Sequence, residues 1–154
     1  MSPAPSMNHQ DISLEIAGYL RQFIKLVGLG RVFAAPADVE LSAGDIVQPD
    51  VFVVLNEHFD RLTHSRLIGA PDLVVEILSP GTMRHDLREK LDAYARAHVP
   101  EYWIVNPSEH VVELLVLAED GVYYSSGAFQ GDDVLPSQIV PGWSVPVGHF
   151  FAFM

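Results

Sequence analysis

Apolar residues recur with helical spacing near the start of the chain. Between Asn8 and Val27 they fall three or four positions apart, at Ile12, Ile16, Leu20, Phe23 and Val27. This spacing predicts an amphipathic helix with one buried face. The Gly28-Leu29-Gly30 stretch that follows is a plausible stop for it.

Strand-forming residues dominate the next part of the sequence. Arg31–Leu41 and Val47–Leu55 read as two strands, and the turn-forming residues 42–45 (SAGD) between them predict a hairpin. Residues 56–71 show no clean period and predict a long loop. Asp72–Ser79 (DLVVEILS) is strongly apolar and is broken by Pro80-Gly81, which is typical of a buried central strand.

A second helical pattern connects this strand to another. Thr82 is its predicted N-cap, and Val99-Pro100 ends it. Glu101–Asn106 (EYWIVN) then forms a strand, so strand, helix and strand predict a right-handed crossover. Val111–Ala118 and Val122–Ser126 predict a further hairpin. The pattern as a whole indicates one α/β domain over residues 1–154, with a mixed sheet.

Composition narrows the possible classes of protein. With 154 residues and 49% hydrophobic content, the chain can bury one core. It contains no run of 18 apolar residues, and residues 1–6 (MSPAPS) lack the order of a secretory signal. We therefore expect no membrane span and a cytoplasmic protein. The absence of cysteine excludes disulfides and thiolate metal sites.

The charge distribution bears on a nucleic-acid partner. A net charge of −11 disfavours contact with phosphate backbones, which bind mainly Lys and Arg. Residues 61–96, however, hold six basic and five acidic side chains, so this segment carries +1 and the rest of the chain carries −12. The alternative is that these charges only cover a solvated helix and loop.

Two acidic residues stand where folding alone does not favour a carboxylate. Asp50 opens the apolar strand DVFVVL, and Glu76 interrupts the apolar run LVVEIL. A carboxylate buried in a sheet is costly unless a cation or hydrogen bonds neutralise it. Two such acids on neighbouring strands could supply the one or two carboxylates that Mg²⁺ takes from a protein. Alternatively, Glu76 reaches solvent at a sheet edge or pairs with an arginine.

The second helix offers a basic partner for these acids. On a helical wheel Lys90 borders the apolar stripe, so its ammonium could lean toward the sheet and stabilise charge that develops on phosphorus. The competing interpretation is an ordinary i,i+4 pair with Asp86. Spacing alone favours that pair.

These residues together resemble a known family. The matching segments are residues 48–54 (QPDVFVV), residues 69–80 (GAPDLVVEILSP), Asp86 with Lys90 and Tyr94, and residues 99–105 (VPEYWIV). The chain resembles the Uma-type restriction endonucleases of bacteria, a branch of the PD-(D/E)XK nuclease superfamily, from about His9 to Phe151. The resemblance implies a restriction-endonuclease-like fold, a mixed sheet flanked by helices.

The resemblance also implies a site and an activity. Asp50 and Glu76 match the two acids that bind Mg²⁺ or Mn²⁺, and the carbonyl of Ile77 is the expected third protein ligand. The superfamily usually places its lysine two residues after the second acid, where this chain has Leu78. In the Uma-type branch the following helix supplies it, and Lys90 matches that position. The expected function is a Mg²⁺-dependent DNA endonuclease in which Lys90 assists the attacking water.

Other interpretations of the sequence stay open. Relatives carry a further helix and an acidic strand ahead of His9, so the chain looks short at its N-terminus, and an exposed sheet edge makes a homodimer the expected state. A catalytically silent binding module and a small-molecule phosphohydrolase are the two rival functions. A histidine metal site is disfavoured because no HExxH pattern is present, although His58 and His64 of the long loop could contact substrate.

Overall fold

The computed structural model describes residues 6–41, 44–80 and 84–152. Thr82, the predicted helix cap, lies outside them, as do two of the four residues of the predicted turn at 42–45. The helices are α1 (Met7–Phe23) and α2 (Arg84–Arg96). The strands, in chain order, are β1 (Gly30–Ala34), β2 (Asp38–Glu40), β3 (Ile46–Val47), β4 (Val51–Leu55), β5 (Arg66–Ile68), β6 (Leu73–Ile77), β7 (Glu101–Asn106), β8 (Val111–Leu117) and β9 (Tyr123–Gln130).

Helix α1 forms where the apolar spacing predicts it but ends earlier. The Ser6 hydroxyl accepts a hydrogen bond from the His9 amide at 3.1 Å and so caps the first turn. The apolar face is fully buried through Ile12, Ile16 and Leu20. The helix ends at Phe23 instead of Val27, because the amides of Leu26 and Leu29 bond to carbonyls five residues back and Gly28 adopts a φ of 80°.

Six strands form the main sheet in the order β1-β4-β6-β7-β8-β9. Only the β6–β7 pair is parallel, so the sheet is mixed. Helix α2 connects these two strands, as the predicted strand-helix-strand unit requires. The predicted mixed α/β sheet is therefore confirmed, with the strand containing Glu76 near its centre.

The two predicted long strands do pair with each other, but neither of them is continuous. Each long strand is divided, so that β1 pairs with β4 in the main sheet while β2 pairs with β3 in a second, three-stranded sheet. Pro36 and Pro49 lie at the two breaks, and proline has no N–H to donate to a ladder. The predicted loop at 56–71 also contains structure: a short 3-10 helix (Asn56–Arg61) and β5, which pairs parallel with β2.

The main sheet separates two apolar clusters, one on each face. Alternate residues such as Val75 and Ile77 join the cluster that contains α1 and the C-terminal 3-10 helix (Val147–Phe151). Val74 belongs to the other cluster, which includes Tyr94 of α2. Since side chains alternate along a strand, Glu76 is directed toward the face that α2 covers. Trp103 and Tyr102 are fully buried in the core, one in each cluster.

Within the described residues, no helix has the length and apolar character needed to cross a membrane.

Candidate active site

The register of β4 and β6 brings Asp50 next to Glu76. The two strands are antiparallel with Val51 opposite Val75, so Asp50, just before β4, meets the residues at the end of β6. The Ile77 amide donates to Asp50 Oδ2 at 2.7 Å, and the Asp50 amide donates to Glu76 Oε1 at 3.3 Å. Each acid is thus fixed by a backbone N–H of the other strand.

Glu76 is almost fully buried, with 4% of its surface exposed. Its Oε2 accepts a hydrogen bond from the Tyr94 hydroxyl at 2.9 Å and lies 3.2 Å from Lys90 Nζ. Burial raises the pKa of the Glu76 carboxyl, the Lys90 ammonium partly opposes this shift, and the charge of Asp50 adds to it. The carboxylate therefore has a cationic partner, which is a lysine and not an arginine.

Lys90 reaches the site from α2. Its side chain is about half exposed, at 49%, so the ammonium stands between the buried carboxylate and solvent. Tyr94 lies one turn later on the same helix, and this spacing places both groups on one face. Leu78, at the position where the superfamily usually has its lysine, packs against the apolar cluster on the α2 side.

His9 is a member of the site that reasoning from the sequence missed. Its Nε2 lies 3.3 Å from Asp50 Oδ1, and its side chain is 11% exposed. The hydrogen bond to Asp50 raises the pKa of the His9 imidazole against the opposing effect of burial. The available signal was spacing: His9 precedes Ile12 by three positions and Ile16 by seven, which puts it on the buried stripe of α1.

Clefts open around this cluster in the part of the chain that the structure describes. One of about 370 Å³ adjoins His9 and Asp50, and another of about 240 Å³ adjoins His9 and Leu78. A third, of about 430 Å³, runs past Lys90. The first is lined by His9, Gln10, Ser13, Leu14, Ala34, Ala35, Pro36, Gln48 and Asp50. A substrate can therefore approach Asp50 and Lys90 from solvent.

The donor set fits a hard divalent cation. The carboxylates of Asp50 and Glu76 and the carbonyl of Ile77 are oxygen donors, the type that Mg²⁺ prefers, and Mg²⁺ usually keeps several waters besides. Glu76 Oε2 is held by Lys90 and Tyr94. The side-chain ligand atoms of Asp50, Glu76 and His9 do not all lie within 4.8 Å of one another.

Within the described residues, one group does bring three side-chain ligand atoms within 4.8 Å of one another, and it lies at the opposite end of strands β4 and β6. It consists of Glu57, His58 and Asp72. Asp72 Oδ1 lies 2.7 Å from His58 Nδ1, and its Oδ2 accepts from the Leu55 amide at 2.8 Å. Both oxygens of this buried carboxylate therefore have protein partners. His58 of the predicted loop thus contacts Asp72, where the pair holds the end of β4 against the start of β6.

Comparison with known proteins assigns the class. The chain has a restriction-endonuclease-like fold: a "putative nuclease belonging to DUF820" from Anabaena variabilis superposes with a TM-score of 0.81 at 18% identity, covering 99% of this chain and 84% of that one. The type IIG restriction endonuclease BpuSI gives a TM-score of 0.49 at 16% identity, over 99% of this chain and 16% of that one. No curated protein matches the chain.

The family follows from the sequence match. Residues 1–148 match the Uma2 family, described as "putative restriction endonuclease". The chain belongs to this family, and the resemblance inferred from its motifs is confirmed.

Proposed function

We propose that the chain is a Mg²⁺- or Mn²⁺-dependent DNA endonuclease, in which Asp50, Glu76 and the carbonyl of Ile77 hold the metal and Lys90 assists the reaction. The observation that carries this proposal is that each acid accepts a hydrogen bond from the backbone beside the other, next to the ammonium of a third element. Membership of the Uma2 family, described as "putative restriction endonuclease", supports the reaction class. In a bacterium, where DNA lies in the cytoplasm, the protein would act there.

The residues of the site would have different roles in phosphodiester hydrolysis. A divalent cation, when bound, lowers the pKa of water and neutralises charge on the phosphate. Asp50 is held in place by the Ile77 amide, and Glu76 by Tyr94 and Lys90, so both carboxylates are preorganised. The half-exposed Lys90 ammonium can donate to the attacking water or to a phosphate oxygen where negative charge develops.

We also propose that the protein acts on duplex DNA as a homodimer. Cutting both strands in one binding event takes two sites, and each chain contributes one. Strands β1 and β9 are the edges of the main sheet and each pairs with a single neighbour, which leaves backbone groups available for another chain.

The deciding test is cleavage of supercoiled plasmid and of single-stranded DNA with Mg²⁺ or Mn²⁺. Asp50→Asn and Glu76→Gln keep the shape of each side chain and should each reduce the rate by at least about 100-fold, since several kcal/mol of charge stabilisation is lost. Asp72→Asn, a buried acid at the opposite end of the sheet, is the matched control and should stay active. Linear product without accumulation of nicked circles is the result expected of a dimer.

Equal cleavage rates in the wild type and both site variants would end the proposal. A specific observation favours one rival: Glu76 Oε2 is already occupied by Lys90 and Tyr94, as in a catalytically silent module. Calorimetry that detects no affinity for Mg²⁺ or Mn²⁺ at low salt would select that function. Hydrolysis of short nucleotides but not of polymers would select a small-molecule phosphohydrolase, for which the net charge of −11 is better suited.

A further inference from the structure

The cleft beside Asp50 has apolar walls that are open to solvent. On the side of α1, Leu14 is 61% exposed. The other side is formed by residues 34–36 (AAP), which are also exposed. The Ala35 amide donates to the Asp50 carbonyl at 3.0 Å and so fixes this second wall to the segment that carries the acid. Mostly apolar pockets of about 300–1,000 Å³ are typical of small-molecule sites, and this cleft measures about 370 Å³.

The charges of this cleft do not favour a phosphate. Its ionisable groups among the described residues are the Asp50 carboxylate and the His9 imidazole, which face each other at 3.3 Å, and these residues include no Lys or Arg. Phosphates are bound mainly through Lys and Arg, whereas a nucleobase has apolar faces and hydrogen-bonding edges. Because the scissile phosphate would lie at Asp50, the base next to it comes within reach of the cleft.

Gln48 supplies a hydrogen-bonding edge to this cleft. Its Nε2 donates to Asp38 Oδ1 at 2.8 Å, which fixes the orientation of the exposed amide. That bond uses one of the two N–H groups, so the amide still offers one donor and one acceptor side by side. Adenine presents a matching acceptor and donor at N7 and N6, whereas guanine presents two acceptors that Arg or Lys reads. The amide of Gln48 therefore favours adenine.

We infer that this cleft binds one unstacked nucleobase, adenine in preference, beside the phosphate that is cut. The inference rests on the proposed function and names the part of the substrate that the site recognises. A base stacked inside a duplex cannot enter the cleft, so it comes either from a single strand or from a duplex out of which it is rotated. In both cases its edge contacts Gln48 and its faces lie against Leu14 and residues 34–36.

The test measures binding of the whole chain to short labelled single strands by fluorescence anisotropy, in Ca²⁺ to prevent cleavage. The strands contain thymine throughout, or thymine with a central adenine or guanine. The wild type should bind the adenine strand at least about 5-fold more tightly than the other two. Gln48→Met keeps the side-chain length and should remove this preference. Leu14→Glu places a carboxylate on the apolar wall and should weaken binding of the adenine strand by at least about 5-fold.

Leu26→Glu is the matched control for Leu14→Glu. Leu26 is 69% exposed, does not line the cleft and gives the same change in net charge. This variant should bind all three strands as the wild type does. Equal affinity of the wild type for the three strands would overturn the inference. An equal loss of affinity in Leu14→Glu and Leu26→Glu would also overturn it, because net charge would then be the cause.

Two duplexes identify the source of the base. One pairs the central adenine with thymine, and the other places it opposite an abasic sugar. Binding that depends on Leu14 for the abasic duplex alone supports a cleft for bases that are already unpaired, as in a single strand. Binding that depends on Leu14 for both duplexes supports a base that the protein rotates out of the stack.

Cleavage of plasmid separates failure of this inference from failure of the proposed function. If Asp50→Asn and Glu76→Gln abolish cleavage while Leu14→Glu and Gln48→Met bind the three strands like the wild type, the active site stands and the base-binding cleft is wrong. If the expected binding differences are found while both acid variants cleave as the wild type does, the cleft binds a base and the proposed function is wrong.

Discussion

Glu76 and Glu101 are two buried glutamates whose surroundings differ. Glu76 has a lysine, a tyrosine hydroxyl and one long backbone hydrogen bond, and burial still raises its pKa. Glu101 accepts hydrogen bonds from Trp103 Nε1, the Ser137 hydroxyl and the Gln138 amide, all at 2.9 Å or less. Charge on Glu76 therefore opposes folding of the metal-free protein, whereas Glu101 holds the C-terminal segment against β7.

This contrast predicts opposite effects of removing each charge. In the presence of a chelator at pH 7, Glu76→Gln should raise the free energy of unfolding by about 1 kcal/mol, because the buried carboxylate is no longer ionised. Glu101→Gln should lower it by about 2 kcal/mol, because an amide oxygen cannot accept all three hydrogen bonds. Chemical denaturation measures both. A loss of stability in Glu76→Gln as large as that in Glu101→Gln would contradict the prediction.

The sign of the pH dependence follows from the raised pKa of Glu76. A carboxyl whose pKa is higher in the folded protein than in the unfolded chain favours folding below the unfolded value, and this benefit is lost as the pH rises through the folded value. The advantage of Glu76→Gln over the wild type should therefore be present at neutral pH and disappear near pH 4, about the unfolded carboxyl pKa. A constant difference between pH 4 and pH 7 would show that charge is not the cause.

At the scale of elements, helix α1 and strand β1 each contain a glycine with a different role. Gly18 is exposed on α1, and a Cβ added there meets nothing within 4 Å. Gly30 opens β1 opposite Leu55, and a Cβ there would overlap the Val54 carbonyl oxygen and lie 3.0 Å from Leu55 Cα. Gly30 is thus required by the close approach of β1 to β4, and Gly18 is not required by any contact.

Alanine at these two positions should act in opposite directions. Gly18→Ala should stabilise the protein by about 0.5–1 kcal/mol, because alanine loses less conformational freedom in a helix. Gly30→Ala should destabilise it by about 1–3 kcal/mol, because the backbone of β4 has to move. Urea midpoints at an unchanged m-value measure both changes. A neutral Gly30→Ala would mean that β1 does not pack against β4 as described.

Prediction from the sequence succeeded where a pattern is local and strong. The run LVVEIL and the segment EYWIVN specify their own strands, and β7 has the predicted bounds. Strand β5 was missed because three residues are too few to show a period and its paired residues in β2 lie 28 positions away. His9 was missed for a similar reason: its contact with Asp50 depends on how α1 packs across the sheet, and no spacing within α1 encodes that distance.

On the scale of the whole molecule, charge works against the proposed substrate. The net charge is −11, and the cleft beside Lys90 is lined by Asp45, Glu89 and Asp92 as well as by Arg96. Arg96 Nη2 lies 3.6 Å from Asp45, which reduces the positive charge available to a phosphate. Without a divalent cation, DNA should therefore bind weakly and with a shallow dependence on salt, because few counterions are released.

A change of charge beside Lys90 tests whether DNA passes through this cleft. Asp92 is exposed at its lining, so Asp92→Lys should raise duplex affinity at low salt by a factor of about 3 to 10 and steepen the salt dependence. Asp132→Lys makes the same change in net charge at an exposed position just beyond β9, three strands away from β6. It should have a smaller effect, because that distance exceeds the Debye length of about 10 Å. Fluorescence anisotropy with labelled duplex, in Ca²⁺ to prevent cleavage, measures both variants. Equal gains would show that net charge alone attracts DNA, and that the cleft beside Lys90 is not its path.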